Sequence, residues 1–215
     1  MSSSHSSPLP TLLLVGAQYP LAADVLERLK QDGYEAHAIE GGSDAALQSV
    51  LGKLPNIDVL VTVTPTALSH KEFEAITDDD FGAALESQLL AVVRTAQAVL
   101  PQLRAGARIV HVSSRGHQGA WGGVHHMAAA AGLVSMTRSM ALELEPEGIC
   151  VNIVGGEFEH ERQDTPRNRQ AVAHAVSSFA AAGAGITGQC VVVDGLTSLR
   201  MNESRRPRLA PSSAS

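Results

Sequence analysis

The chain has 215 residues, 44% of them hydrophobic, and a formal net charge of −6. This length suits one domain with a sizeable core, and the acidic balance disfavours a nucleic-acid-binding surface. No apolar run reaches the roughly 18 residues of a membrane span, and residues 1–10 do not resemble a secretory signal. Cys150 and Cys190 lie in apolar runs, so we expect buried, reduced thiols. These features predict a cytoplasmic protein without nucleic-acid or membrane partners.

Strand and helix patterns alternate between two tails. Residues 1–10 and 201–215 are rich in Ser and Pro and are expected to be disordered, which leaves one domain over residues 11–200. Continuous apolar strands between amphipathic helices predict a parallel sheet covered on both faces, an α/β Rossmann-like doubly wound fold. The predicted strands are 11–16, 35–40, 57–64, 107–114, 148–154 and 188–195. The predicted helices include 20–33, 43–54 with Ser43 as N-cap, and a long helix over 77–103 that opens with a Thr77–Asp80 capping box.

The order of six segments resembles the short-chain dehydrogenase/reductase (SDR) family. They are "LLLVGA", "IDVLV", "RTAQAVLPQL", "ARIVHVSS", "GLVSMTRSMALELEPEGICVNIV" and "GITGQCVVVDG", and the resemblance covers roughly residues 11–196. The family has two further strands between its first strand and the one that resembles "IDVLV". Here only about forty residues separate Val15 from Asp58. We therefore expect a sheet that is shorter than the family's by about one β–α unit.

The resemblance implies a glycine-rich NAD(P)-binding loop after the first strand, where this chain departs from the family pattern TGxxxGxG. The matching stretch is "VGAQYPLA", which keeps Gly16 but has Pro20 and Ala22 in place of the other two glycines. Proline removes an N–H, and both side chains add bulk where backbone approaches a pyrophosphate. Glu40 stands where an acidic group can bind ribose hydroxyls, although it also suits an exposed loop. We expect no cofactor in the usual mode, and NAD(P) if the site still functions.

The resemblance also implies four catalytic positions, of which one is kept. Ser114 matches the family's Ser, while Gln88 stands at the Asn position, His126 at the Tyr position and Ala130 at the Lys position. The family's Lys lowers the pKa of its Tyr, and a methyl group cannot do this. His126 could replace the Tyr as an acid because imidazole titrates near neutrality, or it could be a hydrogen-bonded histidine in a vestigial cleft.

A zinc site and a hydrolytic serine are less consistent with the same residues. The cluster of His111, His117, His125 and His126 lacks the helical or CxxC spacing of a zinc site, so we predict no metal. A hydrolytic Ser114 is disfavoured because the sequence has no GxSxG motif. The segment "EFEHERQDTPRNRQAVAHAVSSF" follows the fifth predicted strand and is polar, so we expect it to make a poor hydrophobic lid.

Three functional hypotheses follow. In the first, the chain is a degenerate SDR without the Tyr/Lys pair, acting as a non-catalytic subunit of a homo-oligomer or beside an active SDR. In the second, it is a divergent NAD(P)-dependent oxidoreductase that acts on a carbonyl or alcohol with Ser114 and His126. In the third, it is a small-ligand sensor that uses the remnant cleft.

Overall fold

The computed structural model describes residues 8–41, 44–65, 70–156, 165–181 and 185–195. Within them, strands and helices alternate along the chain. The strands are Thr11–Val15 (β1), Glu35–Ile39 (β2), Ile57–Val63 (β3), Leu103–Ser114 (β4), Cys150–Gly156 (β5) and Cys190–Val193 (β6). The helices are Pro20–Gln31 (α1), Asp44–Leu51 (α2), Asp78–Leu85 (α3), Ala91–Val99 (α4), Val124–Glu143 (α5) and Pro166–Ala180 (α6).

The strands form one six-stranded sheet in the order β2-β1-β3-β4-β5-β6, and every neighbouring pair is parallel. This confirms the Rossmann-like doubly wound fold, shortened by one β–α unit relative to the family pattern. The chain leaves β1 towards β2 and then crosses back to β3 on the other side. A crevice opens at such a reversal, beyond the carboxyl ends of the strands, and it is where α/β folds bind their ligands.

Alternate side chains of each buried strand enter the cores on the two faces of the sheet. Leu12 and Leu14 of β1 pack on one face against α1 and α6, while Leu13 and Val15 pack on the other. Such two-sided burial explains why the strands are continuously apolar rather than alternating. The largest fully buried side chains include Leu12, Leu13, Leu14, Leu21, Leu29, Leu60, Ile109, Leu133 and Ile153.

The long helix predicted over 77–103 is wrong as a single element. It consists of α3, a π-helical turn over Glu86–Leu90, α4 and a short 3-10 turn over Leu100–Gln102. The capping box is confirmed, since Asp80 N donates to Thr77 Oγ1 and Thr77 N donates to the Asp80 carboxylate. A π turn holds one more residue than an α turn, and such turns are frequent at functional sites. Here the π turn contains Gln88.

The polar segment after β5, which we expected to make a poor hydrophobic lid, contains the helix α6 in its second half. Thr165 caps α6, Pro166 occupies its first turn, and Val172, Val176 and Phe179 are buried in the core shared with α1. Their i, i+4, i+7 spacing is the buried stripe of an amphipathic helix. Residues 157–164 lie outside the described residues.

The structure describes only some of the features predicted for the tails, the second helix and the cysteines. Ser43 and residues 1–7 and 196–215 lie outside the described residues, so the tails stay predictions. Both cysteines are free, as expected, but half-buried rather than buried. No helix in the described part of the chain is long and apolar enough to cross a membrane.

Candidate functional site

The turn after β1 brings Gly16 against the end of β3. Gly16 has a φ of +109°, and a Cβ there would overlap the carbonyl oxygen of Val63. Only glycine tolerates both this backbone conformation and this close approach. The Gly16 and Ala17 amides both donate to Ile39 O at 3.0 Å, which fixes the turn to the end of β2. The kept glycine therefore has a structural requirement of its own, whether or not a phosphate binds beside it.

The start of α1 offers few amides to an anion. Pro20 has no N–H, Tyr19 N donates to Gly16 O, and Ala22 N donates to Tyr19 O. Within the described residues, only the amides of Gln18 and Leu21 in this stretch take no backbone partner. Helix N-termini bind phosphate through such amides. This turn could hold one with two donors, fewer than a glycine-rich loop presents.

Two adjoining cavities lie at the carboxyl ends of β1, β2 and β3. One, of about 120 Å³, runs from Gly16 to Ser87, and the other, of about 190 Å³, contains Glu40. Both share Val15, Ala91 and Thr95 as walls. The structure thus places Gly16 and Glu40 around one crevice, although each cavity is smaller than the roughly 300 Å³ of ordinary ligand pockets.

Gln18 narrows this crevice. Its side-chain Oε1 accepts a hydrogen bond of 2.8 Å from Gly41 N, and both residues line the cavity at Gly16. The side chain is exposed and bridges the turn after β1 to the turn after β2. Rotation of Gln18 away from Gly41 would widen the crevice between the two turns. Sequence inspection did not single out Gln18, because a glutamine in a turn carries no signal of its own.

Gln88 and His126 are in direct contact. Gln88 Nε2 donates to His126 Nδ1 at 2.6 Å, and Gln88 is 1% exposed. Since Nδ1 accepts, the neutral imidazole carries its proton on Nε2. Burial, followed by the charge of His125, lowers the pKa of His126 to about 4, while Asp80 acts in the opposite direction. His126 is therefore neutral at pH 7.

Ser114 approaches the same end of α5 from β4. Its Oγ accepts from Gly116 N at 3.2 Å, and the hydroxyl is buried. A Cβ on Gly116 would lie 2.9 Å from Ser114 Oγ and 2.7 Å from the sulfur of Met127, the residue after His126. Close packing at Gly116 thus joins the end of β4 to the first turn of α5.

Ala130 lies one turn beyond His126 and is 1% exposed. The position is therefore part of the packed core and presents no polar group to the cleft. The structure brings Gln88 and His126 into contact, places Ser114 close to Met127 in the first turn of α5 and buries Ala130. His125, which the sequence analysis considered only as a metal ligand, has its ring beside that of His126, with centroids 4.0 Å apart and planes tilted by 35°.

The four clustered histidines do not converge. His111 is fully buried inside β4 and shares a 2.8 Å hydrogen bond with Thr62, while His117 lies 3.6 Å from the Cys190 sulfur. Among the residues described, no group of three His, Cys, Asp or Glu side chains is arranged to hold a metal ion.

Comparisons with known proteins agree with this fold. A family model described as enoyl-(acyl carrier protein) reductase, a short-chain dehydrogenase model, matches residues 38–158. The chain is 31% identical over 149 residues to the 3-oxoacyl-(acyl-carrier-protein) reductase FabG of Staphylococcus epidermidis, covering 64% of this chain and 59% of that protein. It is 36% identical over 129 residues to the (2S)-((R)-hydroxy(phenyl)methyl)succinyl-CoA dehydrogenase subunit BbsC of Thauera aromatica, covering 58% of this chain and 51% of that protein. The chain thus spans between half and three fifths of these relatives.

A crystal structure of an oxidoreductase of the short-chain dehydrogenase/reductase family from Burkholderia thailandensis has a similar fold. It superposes with a TM-score of 0.78 at 23% identity, covering 92% of this chain and 98% of that one. At this identity the likeness concerns the fold alone.

Proposed function

This chain belongs to the short-chain dehydrogenase/reductase family, and on that premise we propose that it is a divergent NAD(P)-dependent oxidoreductase acting on a carbonyl or alcohol. One observation carries the proposal. Both Gly16 and Ser87 line the same cavity, and the residue after Ser87, Gln88, donates to His126. The crevice for a nucleotide and the candidate group for a substrate therefore adjoin.

The residues around the crevice fit a nucleotide once Gln18 releases Gly41. Gly16 lines the crevice without a side chain, the amides of Gln18 and Leu21 can meet a phosphate, and the Glu40 carboxylate can accept from ribose hydroxyls. When bound, NAD(P) supplies the hydride chemistry. The crevice walls at Val15, Ala91 and Thr95 exclude water from part of the bound group.

Two hydrogen-bond donors can act on a substrate oxygen. They are the Ser114 hydroxyl and the Nε2–H of His126, which Gln88 holds in that tautomer. Donors aimed at a carbonyl oxygen stabilise the negative charge that develops there. With a pKa of about 4, His126 works as a neutral donor and not as an imidazolium acid at pH 7. This differs from the ionised Tyr–Lys chemistry that the resemblance implies for the family.

Calorimetric titration with NADH and NADPH tests the cofactor step. We expect one of them to bind. Its affinity should be higher in Gln18→Ala, because this variant has no side-chain hydrogen bond to Gly41 that must break before the crevice opens. Glu40→Gln should weaken the preferred nucleotide. Failure of both nucleotides to bind at millimolar concentration, in the unaltered protein and in Gln18→Ala alike, would end this proposal.

Turnover separates binding from chemistry. A panel of ketones and aldehydes with the bound nucleotide should show His126→Phe to lose turnover while it keeps nucleotide affinity. His174→Phe is the matched control, since His174 is an exposed histidine on α6. Equal turnover in both variants would remove His126 from the mechanism.

Specific observations also favour a second candidate, a non-catalytic subunit. Ala130 is buried without a polar group, and an open groove of about 370 Å³ lies between α4 and α5, where Leu100, Met136 and Met140 line it. α5 carries apolar residues on the groove side as well as on the core side, which suits a helix covered on both faces. The relative BbsC is itself named a dehydrogenase subunit. We propose that this groove receives a second copy of the chain or an active SDR.

Light scattering tests this candidate. We expect a dimer that dissociates in Met136→Glu, because a charge in the groove cannot be buried without a partner. Ser139 also lines the groove, so Ser139→Glu shows whether a negative charge at another position of the groove is enough to dissociate the dimer. A monomeric protein at high micromolar concentration, with no SDR recovered from its source by affinity capture, would contradict the subunit role.

A further inference from the structure

Two loops meet near the N-terminus of α5 through an aromatic contact. The rings of His70 and Trp121 stand edge to face, with centroids 4.5 Å apart and planes at 67°. Gly122 makes the approach possible, since its φ is +71° and a Cβ there would overlap the His70 ring. The contact therefore joins the residues before α3 to the residues before α5.

This contact borders the candidate site. Trp121 stands two residues before Gly123, the N-cap of α5, and His126 lies in the first turn of that helix. On the other side, Lys71 next to His70 forms an ion pair with Asp80, whose charge acts on the pKa of His126. Both ends of the contact are thus tied to groups around His126.

Trp121 is 77% exposed although it is held in place. The chain contains one tryptophan and few other aromatic residues, so a fixed and exposed indole is a marked departure from its aliphatic packing. The contact with His70 leaves most of the Trp121 side chain exposed to solvent. An exposed aromatic surface beside a polar site suits stacking against a planar apolar group.

We propose that Trp121 is the surface on which the site takes a planar apolar part of its substrate, such as an aryl ring attached to the reacting carbonyl. This inference rests on the proposed function, because it assigns the substrate class of the same site. His70 is a positioning residue that holds the indole through the edge contact.

The single tryptophan makes the test specific. In a ¹H–¹⁵N NMR spectrum of the full chain, the indole N–H gives one peak, which is followed during titration with acetophenone. Acetone carries the same carbonyl without a ring and is the matched ligand control. We expect acetophenone to shift the indole peak saturably and acetone to leave it in place.

Calorimetry of variants gives a second readout. Trp121→Ala should weaken acetophenone binding about three- to tenfold, the usual effect of one aromatic contact. His70→Ala should weaken it less, because the indole remains but is no longer fixed. Leu142→Ala is the control, since Leu142 is an equally exposed apolar side chain on α5, and it should bind as the unaltered protein does.

The outcomes separate this inference from the proposed function. Acetophenone binding with an unmoved indole peak, or no acetophenone binding at all, overturns the role of Trp121, while NADH binding is judged by its own titration. A saturable indole shift supports that role even if neither nucleotide binds, and in that case the oxidoreductase proposal fails alone.

Discussion

Lowering the pH from 7 towards 4.5 should destabilise the protein through His111. This residue is fully buried in β4, and desolvation by burial lowers its pKa from the ordinary 6.5 to about 4. The unfolded chain takes up the proton near pH 6.5, whereas the folded chain does not until about pH 4. The contribution of His111 to the free energy of unfolding is therefore fully present above pH 6.5, and it is lost as the pH falls through this window. Over the whole window, the shift corresponds to about 3 kcal/mol.

The pH dependence of stability between pH 7 and 4.5 comes largely from histidine residues. His126 has a pKa lowered in the same direction, and its effect has the same sign but is reduced by solvent screening because the ring is half-exposed. Asp32 and Asp80 have pKa values lowered from 3.8, so their contributions are lost only at more acidic pH.

Urea denaturation at several pH values measures the effect. Between pH 7 and 4.5 the free energy of unfolding should fall by about 2–3 kcal/mol. His111→Asn keeps a polar atom for the Thr62 hydroxyl and cannot titrate here, so its pH dependence should be flatter even if its stability is lower. His174→Asn, at an exposed position, controls for the removal of an imidazole. An unchanged slope in His111→Asn would refute the reasoning.

Three further substitutions test single contacts. Gly16→Ala should cost about 3 kcal/mol or more by urea denaturation, because the methyl meets Val63 O and the backbone is left-handed. Gln88→Leu should cost about 1–3 kcal/mol, since it leaves Nδ1 of the half-buried His126 ring without its donor, and ¹⁵N NMR should show the tautomer of His126 change. Thr77→Ala should lower stability by about 1 kcal/mol through loss of the helix cap, which thermal unfolding can measure, while Thr77→Ser should restore most of it.

Much of the fold could be predicted because it depends on local patterns. The apolar runs around Leu13, Leu60 and Ile109 are strands buried on both faces. A continuous apolar run is typical of such a strand, so the sequence alone indicates it. The short interval between Val15 and Asp58 predicted the missing β–α unit, since a β–α unit needs a minimum length of chain. The Thr77–Asp80 cap was visible because capping is a contact across three residues.

The parts that could not be predicted depend on contacts between distant residues. Nothing local distinguishes a π turn at Gln88 from an α turn, and the reason for its importance, the bond to His126, spans 38 residues. α6 was not predicted as a helix because its apolar residues are few and spaced among Ala, Ser and Arg, and they pack in a core shared with α1. The importance of Trp121 could not be predicted because it depends on the contact with His70, which lies in another loop.

The shortened sheet leaves β2 as its outer strand, paired with β1 on one side only in the described chain. Because the order of strands is reached by crossing back from β2 to β3, an added β–α unit could enter between α2 and β3 and pair beyond β2. The registers of β1, β3 and β4 would not change. The architecture is therefore modular at this edge, and a strand with its helix grafted into the turn over residues 52–56 would lie beside Glu40 without disturbing the other half of the protein.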